Sequence, residues 1–177
     1  MKHTAQHETN IWKGMAAGLI GGLAASYVMN QFQSGMEAML TNGKQAELKP
    51  QFENQDDAEK DDATVKAAEA ITESVAGHKL TKSEKKVAGP LMHYAMGATT
   101  GAVYGVAAEF QPLVASAAGL PFGAAVWLVA DEVAVPALGL SGPPTDSPPS
   151  VHMKALASHV VYGVATDVMR RAIRRAL

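Results

Sequence analysis

The chain of 177 residues contains no cysteine. Disulfide bonds, zinc–thiolate sites, iron–sulfur clusters and thiol catalysis are therefore excluded. The sequence also lacks a phosphate-binding glycine loop, a paired zinc-ligand motif and the spacing of a serine–histidine–aspartate triad. With these motifs absent, there is little indication of an enzyme, and no cofactor is required by the sequence.

A surplus of positive charge is missing as well. The chain has 15 Lys and Arg against 17 Asp and Glu, for a formal net charge of −2. Nucleic acid is therefore not a predicted partner. The N-terminus is not expected to be a secretory signal, because its first apolar run is too long and no clear small-residue cleavage site follows it.

Long stretches of the chain carry no charge at all. Residues 14–36, 87–108 and 110–130 are free of Asp, Glu, Lys and Arg. A bilayer core of about 30 Å is crossed by roughly 20 apolar residues in a helix. A soluble helix would show a polar face on every turn, whereas the first stretch has no strongly polar residue before Ser26. These stretches predict an integral membrane protein with the lipid bilayer as a partner.

Caps and breakers divide the chain into an all-α bundle. Thr81 and Glu84 form a capping-box pattern, and Asp61 or Asp62 is expected to start an amphipathic helix that ends at Gly77. A helix stop is expected at 41–43 and a loop over 44–58. The predicted segments of this single membrane domain are helix one over 11–36, a polar extramembrane segment over 37–81, helix two over 82–110, helix three over 113–136 (with Pro121 inside it), a proline-rich loop over 137–150 and a C-terminal helix over 151–177.

The number of membrane spans has two solutions. The C-terminal helix has only 12 uncharged residues between Lys154 and Asp167, which makes its span the weakest of the four. The distribution of Lys and Arg favours three spans, with the last helix lying on the membrane surface. Four spans are nevertheless the first choice, because a family resemblance in the second half of the chain implies them. The arginines at 170–175 predict a cytoplasmic C-terminus.

Small residues recur every fourth position in the apolar helices. In lipid, such stripes let backbones approach closely and gain dispersion contacts. They predict close packing within one bundle or, alternatively, self-association or docking against another membrane subunit. The predicted packing residues are Gly14, Gly18, Gly22 and Ser26 on helix one, Gly97, Gly101 and Gly105 on helix two, and Gly119 and Gly123 on helix three.

Several polar side chains fall within the apolar segments, where such groups usually face the bundle interior. Asp131 and Glu132 are about 100° apart on a helix and are expected on different faces, and Glu109 is expected at the interface. His93 and His159 are candidates to bind haem or a metal, to relay protons with a carboxylate, or simply to hydrogen-bond a neighbouring helix. The full set of candidates is His93, Tyr104, Asp131, Glu132, His152, His159 and Asp167.

The second half of the chain carries a recognisable pattern. Residues 136–144 read Pro-x-x-Gly-Leu-x-x-Pro-Pro, residues 158–163 read Ser-His-x-Val-Tyr-Gly, and paired arginines follow. This resembles the YagU family of bacterial inner-membrane proteins, a family of unknown function, over about 88–177 and part of helix one. The resemblance implies a multi-pass protein of the bacterial inner membrane with four helices. It implies no catalytic residue.

Two functions are therefore expected from the sequence. The first is a non-catalytic accessory or scaffold subunit that packs through its glycine-rich helix faces. The alternative is the handling of protons, a small solute, haem or a metal through the intramembrane histidines and carboxylates.

Overall fold

The computed structural model describes residues 9–40 and 62–177, and every regular element within them is helical. The predicted all-α class is thus confirmed. The α-helices are α1 Ile11–Leu40, α2 Ala63–Ala76, α3 Lys82–Phe110, α4 Leu120–Trp127, α5 Val135–Ala137 and α6 Pro149–Ala176. Between them lie two 3-10 segments, Pro112–Gly119 and Pro144–Asp146, and a π-helical segment, Leu128–Ala134.

The long helices form an antiparallel bundle. α1 packs against α3 and α6, and α4 packs against α6. Asn10, Glu109 and Leu177 come together at one end, because Glu109 accepts from the Asn10 amide and Lys13 donates to Leu177. We call this the terminal end. α2 and the proline-rich loop lie at the opposite end, called the α2 end.

α1 and α3 approach each other through glycine. Gly14, Gly18 and Gly22 face Gly105, Gly101 and Gly97, so that a Cβ atom added at most of these positions would overlap a backbone carbonyl oxygen of the facing helix. Ser26 continues the stripe and is buried against Gly97. α4 and α6 meet in the same way, with Gly119 and Gly123 against the backbone around His159 and Gly163.

The prediction of one continuous helix over 113–136 is wrong. The chain leaves helical geometry at Ser116 and passes through left-handed conformations at Ala117 and Ala118, with φ of 49° and 53°, before α4 begins. Pro121 favours the break. In a continuous helix its ring would collide with the carbonyl group of Ala117, whereas it is tolerated in the first turn of a new helix.

The ends of the other helices follow local signals. α1 continues to Leu40, beyond the predicted limit of 36. The Asp62 side chain caps α2, and left-handed Gly77 ends it. The apolar residues of this amphipathic helix are buried only in its first half: Val65 and Ala68 are buried, but Ile71 and Val75 are 54% and 83% exposed. The stop predicted at 41–43 and the loop predicted over 44–58 lie outside the described residues.

Within the described residues, one segment is long and apolar enough to cross a membrane by length and composition, Leu113–Ala137. Only 11% of its most apolar window is buried inside the protein. The predicted four-span arrangement, and its three-span alternative, therefore stay predictions.

Candidate functional site

A cavity of about 390 Å³ lies inside the bundle near the α2 end. His93 of α3, Asp131 of the π-helical segment and His159 of α6 all line it. Asp62 and Lys86 line its outer part and are exposed, so the cavity reaches solvent there. Three of the polar residues singled out in the sequence thus meet at one space, although they lie on separate elements.

α2 covers part of the mouth of this cavity. Its Val65 packs against Gly89 of α3, where an added Cβ atom would lie 2.7 Å from a Val65 methyl carbon. The Lys66 ammonium donates to the Leu140 carbonyl at 3.0 Å, and Glu69 pairs with Lys85 of α3 at 3.2 Å. These contacts hold α2 to the rim on two sides.

Asp131 reaches α6 because the helix around it is widened. Residues Leu128–Ala134 make a π-helical turn just before Pro136, a residue that lacks an amide hydrogen and disrupts regular α-helical bonding. The Asp131 carboxylate then lies 3.5 Å from Nδ1 of His159. That same nitrogen lies 2.9 Å from the Ala155 carbonyl oxygen, which can only accept.

The expectation that Asp131 and Glu132 serve different faces needs correction. Both carboxylates turn towards α6, and they meet it two turns apart, Asp131 at His159 and Glu132 at His152. The widened turn and the seven-residue separation of the two histidines let neighbouring acids find separate partners on one helix.

His93 is the unsatisfied member of the cavity. Its Nε2 atom is buried and has no hydrogen-bond partner among the described residues. The ring contacts Tyr94 edge-on, with the centroids 5.6 Å apart. Buried polar atoms normally have a partner, so this nitrogen is one of the exceptions among the described residues.

Aromatic side chains close the cavity towards the terminal end. Phe122 stacks on Tyr104 at 4.2 Å and contacts the ring of Tyr162 at 5.8 Å. Tyr162 also hydrogen-bonds Thr100 and the Gly97 carbonyl across the bundle. The sequence placed Tyr104 on nearly the same face as His93, but the structure puts it in this aromatic layer, away from the cavity lining.

Asp167 lies on the terminal-end side of the aromatic layer rather than beside His159. Its carboxylate is 1% exposed and accepts from the Tyr104 hydroxyl at 2.9 Å. Arg170 and Arg171 pair with it at 3.0 and 2.7 Å. In the sequence, these arginines served as a topology signal and as part of the family resemblance, but their pairing with Asp167 was not predicted. Their spacing of three and four residues from Asp167 was a signal for the pairing.

Glu109 is the clearest missed residue. Its position at the membrane interface stays a prediction, but its burial was not predicted: the side chain has 0% exposure. Arg174 donates to its two oxygens at 2.6 and 3.1 Å, and the Asn10 amide donates at 3.0 Å. The pair joins α3, α6 and the start of α1 at the terminal end.

His152 lies outside the cavity lining and holds the proline-rich loop. Its Nδ1 is 2.6 Å from the Glu132 carboxylate and its Nε2 is 3.0 Å from the Pro144 carbonyl oxygen. A carbonyl and an ionised carboxylate only accept, so both contacts are hydrogen bonds when the imidazole carries both protons. The hydrogen bond with Glu132 raises the pKa of His152 above its ordinary value of 6.5.

This contact makes the stability of the protein depend on pH. Because the pKa of His152 is raised in the folded protein, its contribution is complete below pH 6.5 and fades as the pH rises through the folded pKa. We expect the Tm difference between the wild type and a His152→Gln variant to be largest at pH 6 and to shrink towards pH 9. Thermal unfolding across this range measures it. A difference that stays constant with pH would contradict the assignment.

The described residues do not fit a metal centre. No group of three His, Cys, Asp or Glu side chains comes together among residues 9–40 and 62–177 in a way that could hold a metal ion. Asp131 and His159 form a pair, and no step through a metal is derived from them. Haem binding through His93 and His159 stays a prediction.

The fold and the cavity together define a class: an all-α bundle with a polar pocket open at one end. The chain belongs to a protein family of unknown function (DUF1440), whose model matches residues 38–168. Comparison with curated proteins and with solved structures found no match. The family match includes α2, α3 and the cavity-lining parts of α6, whereas the resemblance to the YagU family stays a prediction.

Proposed function

We propose that this protein is a membrane-embedded helical bundle that binds a small polar solute in the cavity under α2. The observation that carries the proposal is the convergence of His93, Asp131 and His159 on one cavity from three separate elements. A volume of about 390 Å³ falls in the range of small-molecule sites, which is about 300–1,000 Å³.

The exposed surface supports placement in a membrane. Large apolar side chains are exposed on all the long elements of the bundle, far beyond the scattered exposure that a soluble protein needs. Trp12 is 74% exposed near the terminal end, a position that suits the membrane–water interface. The exposed set includes Leu19, Ile20, Leu23, Leu91, Met96, Val103, Leu120, Leu128, Val129, Val133, Val168 and Met169. We propose four antiparallel spans in the bacterial inner membrane, with both termini cytoplasmic.

Solute binding is preferred over the accessory function expected first from the sequence. The glycine faces that suggested docking to another subunit already pack against each other, Gly18 against Gly101 and Gly123 against the His159 backbone. An accessory function would need another surface. It stays an untested prediction, as does self-association.

Binding is also preferred over continuous conduction. The cavity opens beside Asp62 and Lys86, but the aromatic layer of Tyr104, Phe122 and Tyr162 lies between it and the terminal end. A solute entering from the α2 end would therefore be held on the α2 side of this layer. Such a site suits a binding protein or one stage of a carrier.

A solute screen tests the proposal. The protein, recovered from the membrane fraction and purified in nanodiscs, would be heated with a library of polar solutes below roughly 300 Da. We expect at least one class to raise Tm, because a ligand at 100 times its Kd adds about 2.7 kcal/mol to the folded state. His93→Phe should abolish the effect, because it replaces a polar imidazole of the cavity wall with an apolar ring.

Ala95→Phe is the matched control, since it adds the same ring at an exposed position two residues away on α3. It should retain the solute effect in full. A library without any stabilising solute, or hits that persist undiminished in His93→Phe, would contradict binding in this cavity.

A further inference from the structure

We infer that the solute is a small organic cation with N–H donors, such as a protonated amine, held by the carboxylate of Asp131. This deepens the proposed function and rests on it. The inference follows from an inventory of the hydrogen-bond donors and acceptors that the inner part of the cavity offers to a guest.

The hydroxyl protons of the inner wall are already used within the protein. Ser26 donates to the Gly22 carbonyl at 3.0 Å. Tyr162 lies 2.7 Å from the Gly97 carbonyl oxygen, and Thr100 lies 2.8 Å from both the Met96 carbonyl oxygen and the Tyr162 hydroxyl. Each hydroxyl has one proton, and every assignment of these two keeps both protons inside the protein. What these groups present to a guest is lone pairs.

His159 points to the same conclusion. The Ala155 carbonyl oxygen, 2.9 Å away, fixes the proton of neutral His159 on Nδ1, which leaves Nε2 as the acceptor of that ring. A guest that donates a hydrogen bond satisfies this nitrogen with the ring neutral.

Among guests that donate hydrogen bonds, the charge of the cavity wall favours cations. Among the described residues of the inner wall, only Asp131 carries a formal charge; at the exposed mouth, Asp62 and Lys86 carry opposite charges that sum to zero. Lys85 at the rim is paired with Glu69 at 3.2 Å and so is already compensated. An anion would be repelled by the Asp131 carboxylate and would find no free hydroxyl proton on the inner wall. An ammonium group would instead donate a charge-assisted hydrogen bond to this carboxylate. A cavity of about 390 Å³ is also far larger than a bare inorganic ion needs.

Three probes of similar shape test the inference: 2-phenylethylammonium, 2-phenylethanol and 3-phenylpropionate. Binding to the wild type in nanodiscs at pH 7 would be measured by calorimetry and by Tm. We expect the cation to bind at least tenfold more tightly than the alcohol and the carboxylate not to bind. Asp131→Asn should reduce the preference for the cation to less than threefold.

Glu132→Gln is the matched control, because it removes the adjacent carboxylate, which pairs with His152 outside the cavity. It should keep the tenfold preference. If Asp131→Asn does not fold, the inference is tested by the relative affinities of the three probes for the wild type and for Asp131→Glu.

Equal binding of the three probes, preference for the carboxylate, absence of cation binding, or a response to Na⁺ or K⁺ without one to the amine would each overturn the inference. Solute binding in the cavity would still stand if the library screen gives hits that His93→Phe removes. A screen without hits would instead remove the proposed function itself.

Discussion

Replacing Arg174 by alanine is expected to destabilise the protein by about 3–5 kcal/mol, the cost typical of breaking a buried ion pair from one side. The Glu109 side chain has 0% exposure, and two of its hydrogen bonds come from Arg174. Without the guanidinium group, the carboxylate keeps the Asn10 amide and must either stay buried with too few donors or take up a proton. Both routes cost free energy of folding.

Chemical unfolding in mild detergent measures the loss. Arg175→Ala is the matched control, since Arg175 neighbours Arg174 on α6 and is exposed. It should change stability by less than about 0.5 kcal/mol. The double variant Glu109→Gln, Arg174→Ala should recover much of the loss, because no charge remains to be compensated. Equal losses for Arg174→Ala and Arg175→Ala would show that the pair does not hold the terminal end together.

The features that sequence reasoning finds here are local ones. The amphipathic helix begins after the Asp62 cap and ends at Gly77, and Thr81 with Glu84 forms a capping box before α3. Each of these depends on groups within four residues, so the chemistry is visible in the sequence itself. The stripe of small residues on α1 is equally visible in the sequence, but the sequence does not show which helix faces it.

The features that were missed depend on tertiary contacts or on a choice between two local outcomes. Pro121 is compatible with a kink or with a new helix start, and only the packing of Gly119 against Gly163 decides for the latter. The partner of Glu109 is 65 residues away in the chain. Asp131 reaches His159 through a π-helical turn, for which the sequence offered only Pro136 as a signal.

The second large effect is expected from Gly18→Ala in α1. An added Cβ atom at Gly18 would overlap the Gly101 carbonyl oxygen and lie 2.8 Å from the Gly105 Cα atom. Both obstacles are backbone, so no side chain can rotate away. Overpacking typically costs 1–3 kcal/mol, and we expect about 3 kcal/mol here because two helices must separate.

Gly35→Ala on the same helix is the control that separates the effect of the contact between α1 and α3 from the effect of helix propensity. Among the described residues, a Cβ atom there would meet nothing within 4 Å, so the variant should be neutral or gain up to about 1 kcal/mol from the preference of alanine for helices. The same intrinsic gain is present at Gly18 and works against the expected loss. A Gly18→Ala variant as stable as Gly35→Ala would therefore mean that α1 and α3 do not touch at this glycine. Because Gly97 and Thr100 line the cavity from the α3 side, separating α1 from α3 should also abolish solute-induced stabilisation, while Gly35→Ala retains it.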